Sequence, residues 1–224
     1  MRTFWNWVQN ETGRVLFING PIAEESWYDD EVTPEQFKKD LHSGKGPVTV
    51  WINSPGGCVF SAARIYTMLR DYPGHVTVKI DGIAASAASV IAMAGNETLM
   101  SPVSYMLIHN PYTMAIGDSE EMQKTIALLD EVKEGIVNAY EAKTGLDRAE
   151  ISRLMDIDSC FHAKRAVELG FADGILFTET PPQNCCGGII FSQTATINAL
   201  LNKVHKKPAG IPIDGLYKRL SLLK

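Results

Sequence analysis

Gly82-Ile83-Ala84-Ala85-Ser86-Ala87-Ala88-Ser89 sets one hydroxyl, that of Ser86, among residues whose shared property is smallness. Just upstream, residues 76–80 have the β-branched alternation of a short strand; just downstream, residues 90–94 are apolar and stop at Gly95, as a short helix does. Ser86 is therefore predicted at a strand-to-helix turn. There its Oγ is exposed, and the N–H of Ala87, at the positive end of the helix, faces negative charge that develops on a substrate oxygen. A serine in an Ala-rich turn is more often part of a packed helix than a nucleophile, so the reading depends on partners.

Working outward, Asn53-Ser54-Pro55-Gly56-Gly57 follows an apolar strand at 48–52, and its glycines let backbone approach a ligand closely. A helix is expected over 59–70, with Ala62, Ala63, Tyr66 and Leu69 toward a core. Ahead of these, residues 14–19 read as a strand. Thr33-Pro34-Glu35-Gln36 has the cap, proline and capping-box order that starts a helix running to about residue 41. Such alternation predicts parallel strands joined by right-handed crossovers, with the loops at the strand carboxyl ends forming a crevice. Residues 53–57 and 82–86 both fall on such loops.

Toward the C-terminus, a strand at 105–108 leads into His109-Asn110-Pro111. Asp118-Ser119-Glu120-Glu121 then begins a long helix, with apolar Met122, Ile126, Leu129, Ile136 and Tyr140 on one face and Glu120, Lys124, Glu131, Glu134 and Glu141 on the other. Asp147 to Glu150 begins a shorter helix, and residues 163–169, stopped by Gly170, a further one. Beyond 177 the pattern breaks. Residues 178–188 read as a Pro-, Gly- and Cys-rich linker and 192–204 as a helix, before an apolar and basic end. The expected division is a main domain over 1–177 and a linker with a basic tail over 178–224.

The 224 residues, 45% of them apolar, suffice for one sizeable core. The net charge of −5 gives no electrostatic support for nucleic-acid binding. It is uneven: six Lys or Arg against Glu179 and Asp214 give residues 179–224 a net +4, leaving −9 for the rest. Cys58, Cys160, Cys185 and Cys186 form neither a metal-ligand nor a disulfide pattern, and no signal peptide or membrane span is read. A cytoplasmic protein without metal or cofactor is expected.

Acyl transfer at neutral pH needs a nucleophile, a base with a suitable pKa, and a group that fixes the base's tautomer. Ser86, His109 and an acid from Met155-Asp156-Ile157-Asp158 are fit for those roles. Their order departs from the Ser, Asp, His order of α/β-hydrolases, and no G-x-S-x-G surrounds the serine. Ser89 reads as a packing or local hydrogen-bonding residue, His162 as part of a helix cap, and His75 and His205 as surface histidines.

Taken in order, INSPGG, GIAASAAS, MLIHNP and the acid before FHAKRAVELGFADGIL resemble the proteolytic subunit of the Clp peptidases over roughly residues 15–177. FWNWV, GPIAEESWYDDEVTPEQF and MAIGDSEEM bring the chain nearest to the prophage-encoded, Clp-related head maturation proteases. The resemblance implies an α/β fold, a crotonase-like ββα superhelix whose long helix after Asp118 is a handle toward a facing ring. It implies a Ser86-His109-Asp158 triad, with Asp158 preferred to Asp156 because it stands five residues before Ala163. It also implies an oxyanion hole from the N–H groups of Gly57 and Ala87. The partners it implies are polypeptide substrates and further copies in a ring, stacked or single, with capsid or scaffold precursors as the targets. Two alternatives stay open: a proteolytic subunit serving an AAA+ unfoldase, and a catalytically silent ring-forming assembly protein. Acyl-CoA chemistry on the same fold is weaker, since it does not need this Ser, His and Asp set. FWNWVQNETG replaces the segment that forms axial loops in the housekeeping enzyme, and no P-loop is present, so ATP dependence would have to come from another protein.

Overall fold

Residues 5–8 and the apolar run at 15–18 are joined by a polar stretch, and the two segments pair as a hairpin in which burial alternates along the second strand. β1 (Trp5–Asn10) and β2 (Gly13–Asn19) pair antiparallel, with Trp5 opposite Ile18. The computed structural model describes residues 4–10, 13–22 and 34–177. Thr33 of the expected capping box, the linker, the tail with its expected helix, Cys185, Cys186 and His205 lie outside the described residues. β1 is an addition to the sequence reading, which begins its first strand at residue 14. It is held by Trp5, buried edge-on against Phe37 of α1 (Pro34–His42) at 5.4 Å between ring centroids. Arg14 of β2 is buried and donates to the carbonyls of Leu41 (2.6 Å) and Asp40, satisfying groups that the end of α1 leaves unpaired.

Four parallel pairings build the rest of the main sheet. β3 (Val48–Ser54) joins β2, and β4 (Val76–Ala85) follows α2 (Val59–Arg70) and joins β3. β5 (Glu97–Met100) follows α3 (Ala87–Ala92) and joins β4, and the short β8 (Gly174–Ile175) joins β5. Val48, Val50, Ile52, Val76, Val78 and Ile80 are fully or almost fully buried, as strands covered on a face by crossover helices require. The core face of α2 is Ser61, Ala62, Ile65, Met68 and Leu69, a rotation from the expected one: Ala63 is exposed and Tyr66 half-buried. Burying Ile65 and Met68 removes more apolar area from water than burying Ala63 would, and that sets the face.

β4 runs five residues further than its sequence pattern suggests, so 82–85 is strand and not loop. Its first half, Thr77–Ile80, pairs with β5; its second half, Ile83–Ala85, pairs with β6 (Tyr105–Leu107), which in turn pairs antiparallel with β7 (Cys160–His162). The register between β3 and β4 slips between Ile52 and Ser54, where β4 bends from one set of neighbours to the other.

α4 (Ser119–Thr144) is the long helix. Asp118 caps it as expected, its Oδ1 accepting from the N–H of Glu120 (3.0 Å) and Glu121 (3.1 Å). Only Ile136, Val137, Ala139 and Tyr140 are buried; the turns before them stand clear of the core, with Met122 and Ile126 exposed. α5 (Arg148–Asp156), capped by Asp147, and α6 (Ala163–Glu168), whose cap is His162, are the remaining helices of the described residues. This is the α/β superhelix with a protruding handle that the resemblance implies. Among the described residues no helix is long and apolar enough to cross a membrane.

Candidate active site

The ladder formed by the end of β4, β6 and β7 brings the three candidate residues to one place. Ala85 pairs with Leu107, and Leu107 with Cys160. Ser86 follows Ala85 directly, His109 stands two residues past Leu107, and Asp158 two residues before Cys160, so all three lie at the same end of adjacent strands. Two further bonds lock the junction: Ser86 N–H to the Leu107 carbonyl (2.9 Å) and Ile108 N–H to the Ser159 carbonyl (2.9 Å).

Ser86 is the N-cap residue of α3, at φ 54 and ψ −126. A non-glycine residue there is strained, and such strain persists only where the surroundings over-determine it. Here β4 pins one side and the wholly buried α3 the other. The turn is the sharp strand-to-helix elbow that lifts a side chain clear of the backbone.

Opposite it, Gly56 (φ 93) and Gly57 (φ 148) occupy backbone conformations that side chains avoid. A Cβ on Gly56 would stand 2.6 Å from the Ala85 carbonyl oxygen and 2.8 Å from the Ser86 Cβ; one on Gly57 would stand 2.0 Å from the Ile22 carbonyl oxygen. Both glycines are therefore required by close approach. The N–H groups on either side of Gly57 are committed, Gly56 to Ser54 Oγ (3.1 Å) and Cys58 to the Ile22 carbonyl (2.9 Å). Buried Ser54 in turn donates to the Gly20 carbonyl (2.7 Å), fastening the turn to the end of β2.

His109 is half-buried, and its Nδ1 lies 2.6 Å from the Asn110 carbonyl oxygen. A carbonyl only accepts, so Nδ1 carries the proton and Nε2 is left as the basic nitrogen of the neutral ring. The Tyr112 ring stands beside it, 5.6 Å between centroids. Among the described residues no hydrogen bond joins His109 to Ser86 or to Asp158. The three groups are neighbours on the ladder without being aligned as a relay.

The two aspartates differ. Asp158 is exposed, sits at φ 50, and its carboxylate makes no hydrogen bond among the described residues. Asp156 Oδ1 accepts from Asn110 Nδ2 (2.9 Å) and Lys133 Nζ (2.7 Å), and these bonds hold its carboxyl below the ordinary value. Asp156 thus braces the residue next to His109 and is already occupied. This use of Asn110, Lys133 and Asp156 was not read from the sequence; the only signal was the polar residue directly after His109. Nearby Cys160 is half-buried, and burial pushes its thiol up, which disfavours the thiolate.

A family model described as Clp protease matches residues 8–179. The chain is 29% identical over 173 residues to the ATP-dependent Clp protease proteolytic subunit 1 of Chlamydia muridarum, covering 74% of this chain and 87% of that one. It is 27% identical over 165 residues to the ATP-dependent Clp protease proteolytic subunit of Ligilactobacillus salivarius, covering 73% and 83%.

Proposed function

We propose, for a chain that belongs to the Clp protease family and is on that ground a serine-type peptidase, that Ser86 is the nucleophile, His109 the base and Asp158 the acid of its triad. The observation that carries this is the convergence of the three residues at one end of the β4–β6–β7 ladder, with Ser86 on a strained elbow. Ser86 Oγ attacks the scissile carbonyl while His109 Nε2 accepts its proton. The tetrahedral oxyanion is met by the N–H groups of Gly57 and Ala87, and losing one such donor costs about 3 kcal/mol of transition-state stabilisation. Collapse breaks the C–N bond as His109 returns the proton to the leaving amine, and water then releases the acyl group by the same steps in reverse roles.

For Asp158 to serve, His109 turns so that its Nδ1–H leaves the Asn110 carbonyl for the Asp158 carboxylate. The unoccupied Asp158 and the occupied Asp156 support that choice over its rival. The test is intact-mass detection of a fluorophosphonate adduct beside a small-peptide hydrolysis assay. Wild type is expected to take one adduct and turn over, and Ser86→Ala to do neither; a folded wild-type assembly that takes no adduct would favour the silent assembly role.

The working form is a ring of identical copies. Support comes from apolar surface left open on the single chain: Tyr112, Met114 and Ile116 ahead of α4, and Met122, Ile126 and Leu128 along it. As to the target, the opening FWNWV and the MAIGDSEEM segment favour a head maturation protease acting on capsid or scaffold precursors. A second reading, a subunit serving an AAA+ unfoldase, is favoured by the names of the relatives. Cleavage of a folded tagged substrate only when a cognate unfoldase and ATP are added would select the second; cleavage of a scaffold precursor by the peptidase alone would select the first.

A further inference from the structure

Behind the elbow lies a buried chain of hydroxyls. Ser89 Oγ is 2.5 Å from the Ser86 carbonyl oxygen and 2.8 Å from the Tyr140 hydroxyl, and Ser89 N–H bonds the same Ser86 carbonyl at 2.9 Å. Ser89 is fully buried and Tyr140 1% exposed. The directions follow from chemistry. The Ser86 carbonyl only accepts, so the one proton of Ser89 Oγ goes to it, and Tyr140 O–H donates to Ser89. Burial pushes the Tyr140 phenol far up, so it keeps that proton at any working pH.

The Ser86 carbonyl and the Ala87 N–H are two ends of one peptide group. Fixing the oxygen fixes where the N–H points, because the group is planar. Hydrogen bonds accepted by the oxygen also polarise the group and make its N–H a stronger donor, an effect favoured by a dry surrounding. A flip of this peptide would relieve the strain at Ser86 but would forfeit the bonds from Ser89.

We infer that Ser89 and Tyr140 are positioning residues for the oxyanion. The chain from Tyr140 O–H through Ser89 Oγ to the Ser86 carbonyl holds and polarises the peptide whose N–H receives the substrate's developing charge, and it ties that peptide to the base of α4. The proposal rests on the reading of Ser86 as nucleophile. It makes the geometry of the elbow answer to a residue 54 positions away in sequence through two hydroxyl protons.

The test measures kcat per active site, with sites counted by fluorophosphonate titration and the adduct mapped by peptide mass. Tyr140→Phe removes one hydroxyl and keeps the ring against Phe171, from which it stands 5.4 Å between centroids. It is expected to lower kcat per titrated site about 5-fold with KM within about 2-fold; Ser89→Ala is expected to lower it more, short of the ~100-fold that loss of a whole donor brings. Because Tyr140 acts through Ser89, the double variant should fall no further than Ser89→Ala alone. A merely structural role would reduce the number of titratable sites while leaving kcat per site unchanged, and that result overturns the proposal. A label mapped to any residue but Ser86 overturns the nucleophile reading and the proposal with it; a label on Ser86 with unchanged kcat per site in both variants overturns the proposal alone.

Discussion

At the scale of single residues, Ser86, Gly56 and Gly57 share one property, a positive φ, which glycine adopts freely and Ser86 only under strain; Gly56 backs onto Ser86 and Gly57 onto Ile22. Gly57→Ala places a Cβ 2.0 Å from the Ile22 carbonyl and into a φ of 148, and is expected to cost about 2–4 kcal/mol of stability together with all measurable peptidase activity. Thermal melting beside the peptide assay checks it. The aspartates make a second prediction. Asp158→Asn should abolish turnover, while Asp156→Asn, which loses only the brace on Asn110 and Lys133, should keep most of it; the reverse outcome would move the acid to Asp156. Since the Asp156 carboxyl is held below its ordinary value, its contribution to stability is present in full above the unfolded value near 3.8 and is lost as pH falls through the lower folded value. The difference in Tm between wild type and Asp156→Asn should therefore stay flat from about pH 8 to 5 and shrink below about pH 4. That Ser86 stands at a strand-to-helix turn and His109 just past a strand end was legible in the sequence, because a run of small residues and an apolar strand are local signals. The Asp156 brace was not, because it joins residues 23 and 46 positions away across different elements.

At the scale of elements, α4 shows how a sound periodicity can mislead about what it is for. Met122, Ile126 and Ile136 recur at helical spacing, yet Ile136 is buried while Met122 is at the edge of exposure and Ile126 is 60% exposed. The pattern names a face, and only the packing of the last turns against the core shows how little of that face is satisfied within the chain. Ile126→Glu should leave the melting of the single chain nearly unchanged while reducing assembly size in sedimentation velocity; an unchanged assembly would remove this stripe from the contact between copies. α2 and β4 carry the same lesson. On α2 the expected Ala62 and Leu69 are buried while Ala63 and Tyr66 give way to Ile65 and Met68, since alanines fit either a core or a surface. Of the last five residues of β4, Asp81-Gly82-Ile83-Ala84-Ala85, all but Ile83 lack strand propensity, and they are held as strand by the pairing of Ser54 and β6 with them.

At the scale of the whole molecule, the alternation of strand and helix foretold parallel strands joined by crossovers, whereas β1, β5, β7 and β8 were not legible, being short elements fixed by the neighbours they meet. The most consequential property is that β4, held by β3 on one side, serves two strands on the other, β5 with its first half and β6 with its second. Hydrogen exchange should register this: the amides of Val78, Ile80 and Ser86 are expected to open only with the entire fold, and those of the exposed turns of α4 by local fraying. Faster exchange at Ser86 than at Val78 would show that the elbow opens on its own. A strand shared by the β5 and β6 groups leaves no seam between them among the described residues. Warming such a chain should give no intermediate that keeps its shape while losing its chemistry, so residual catalysis becomes a direct count of native molecules.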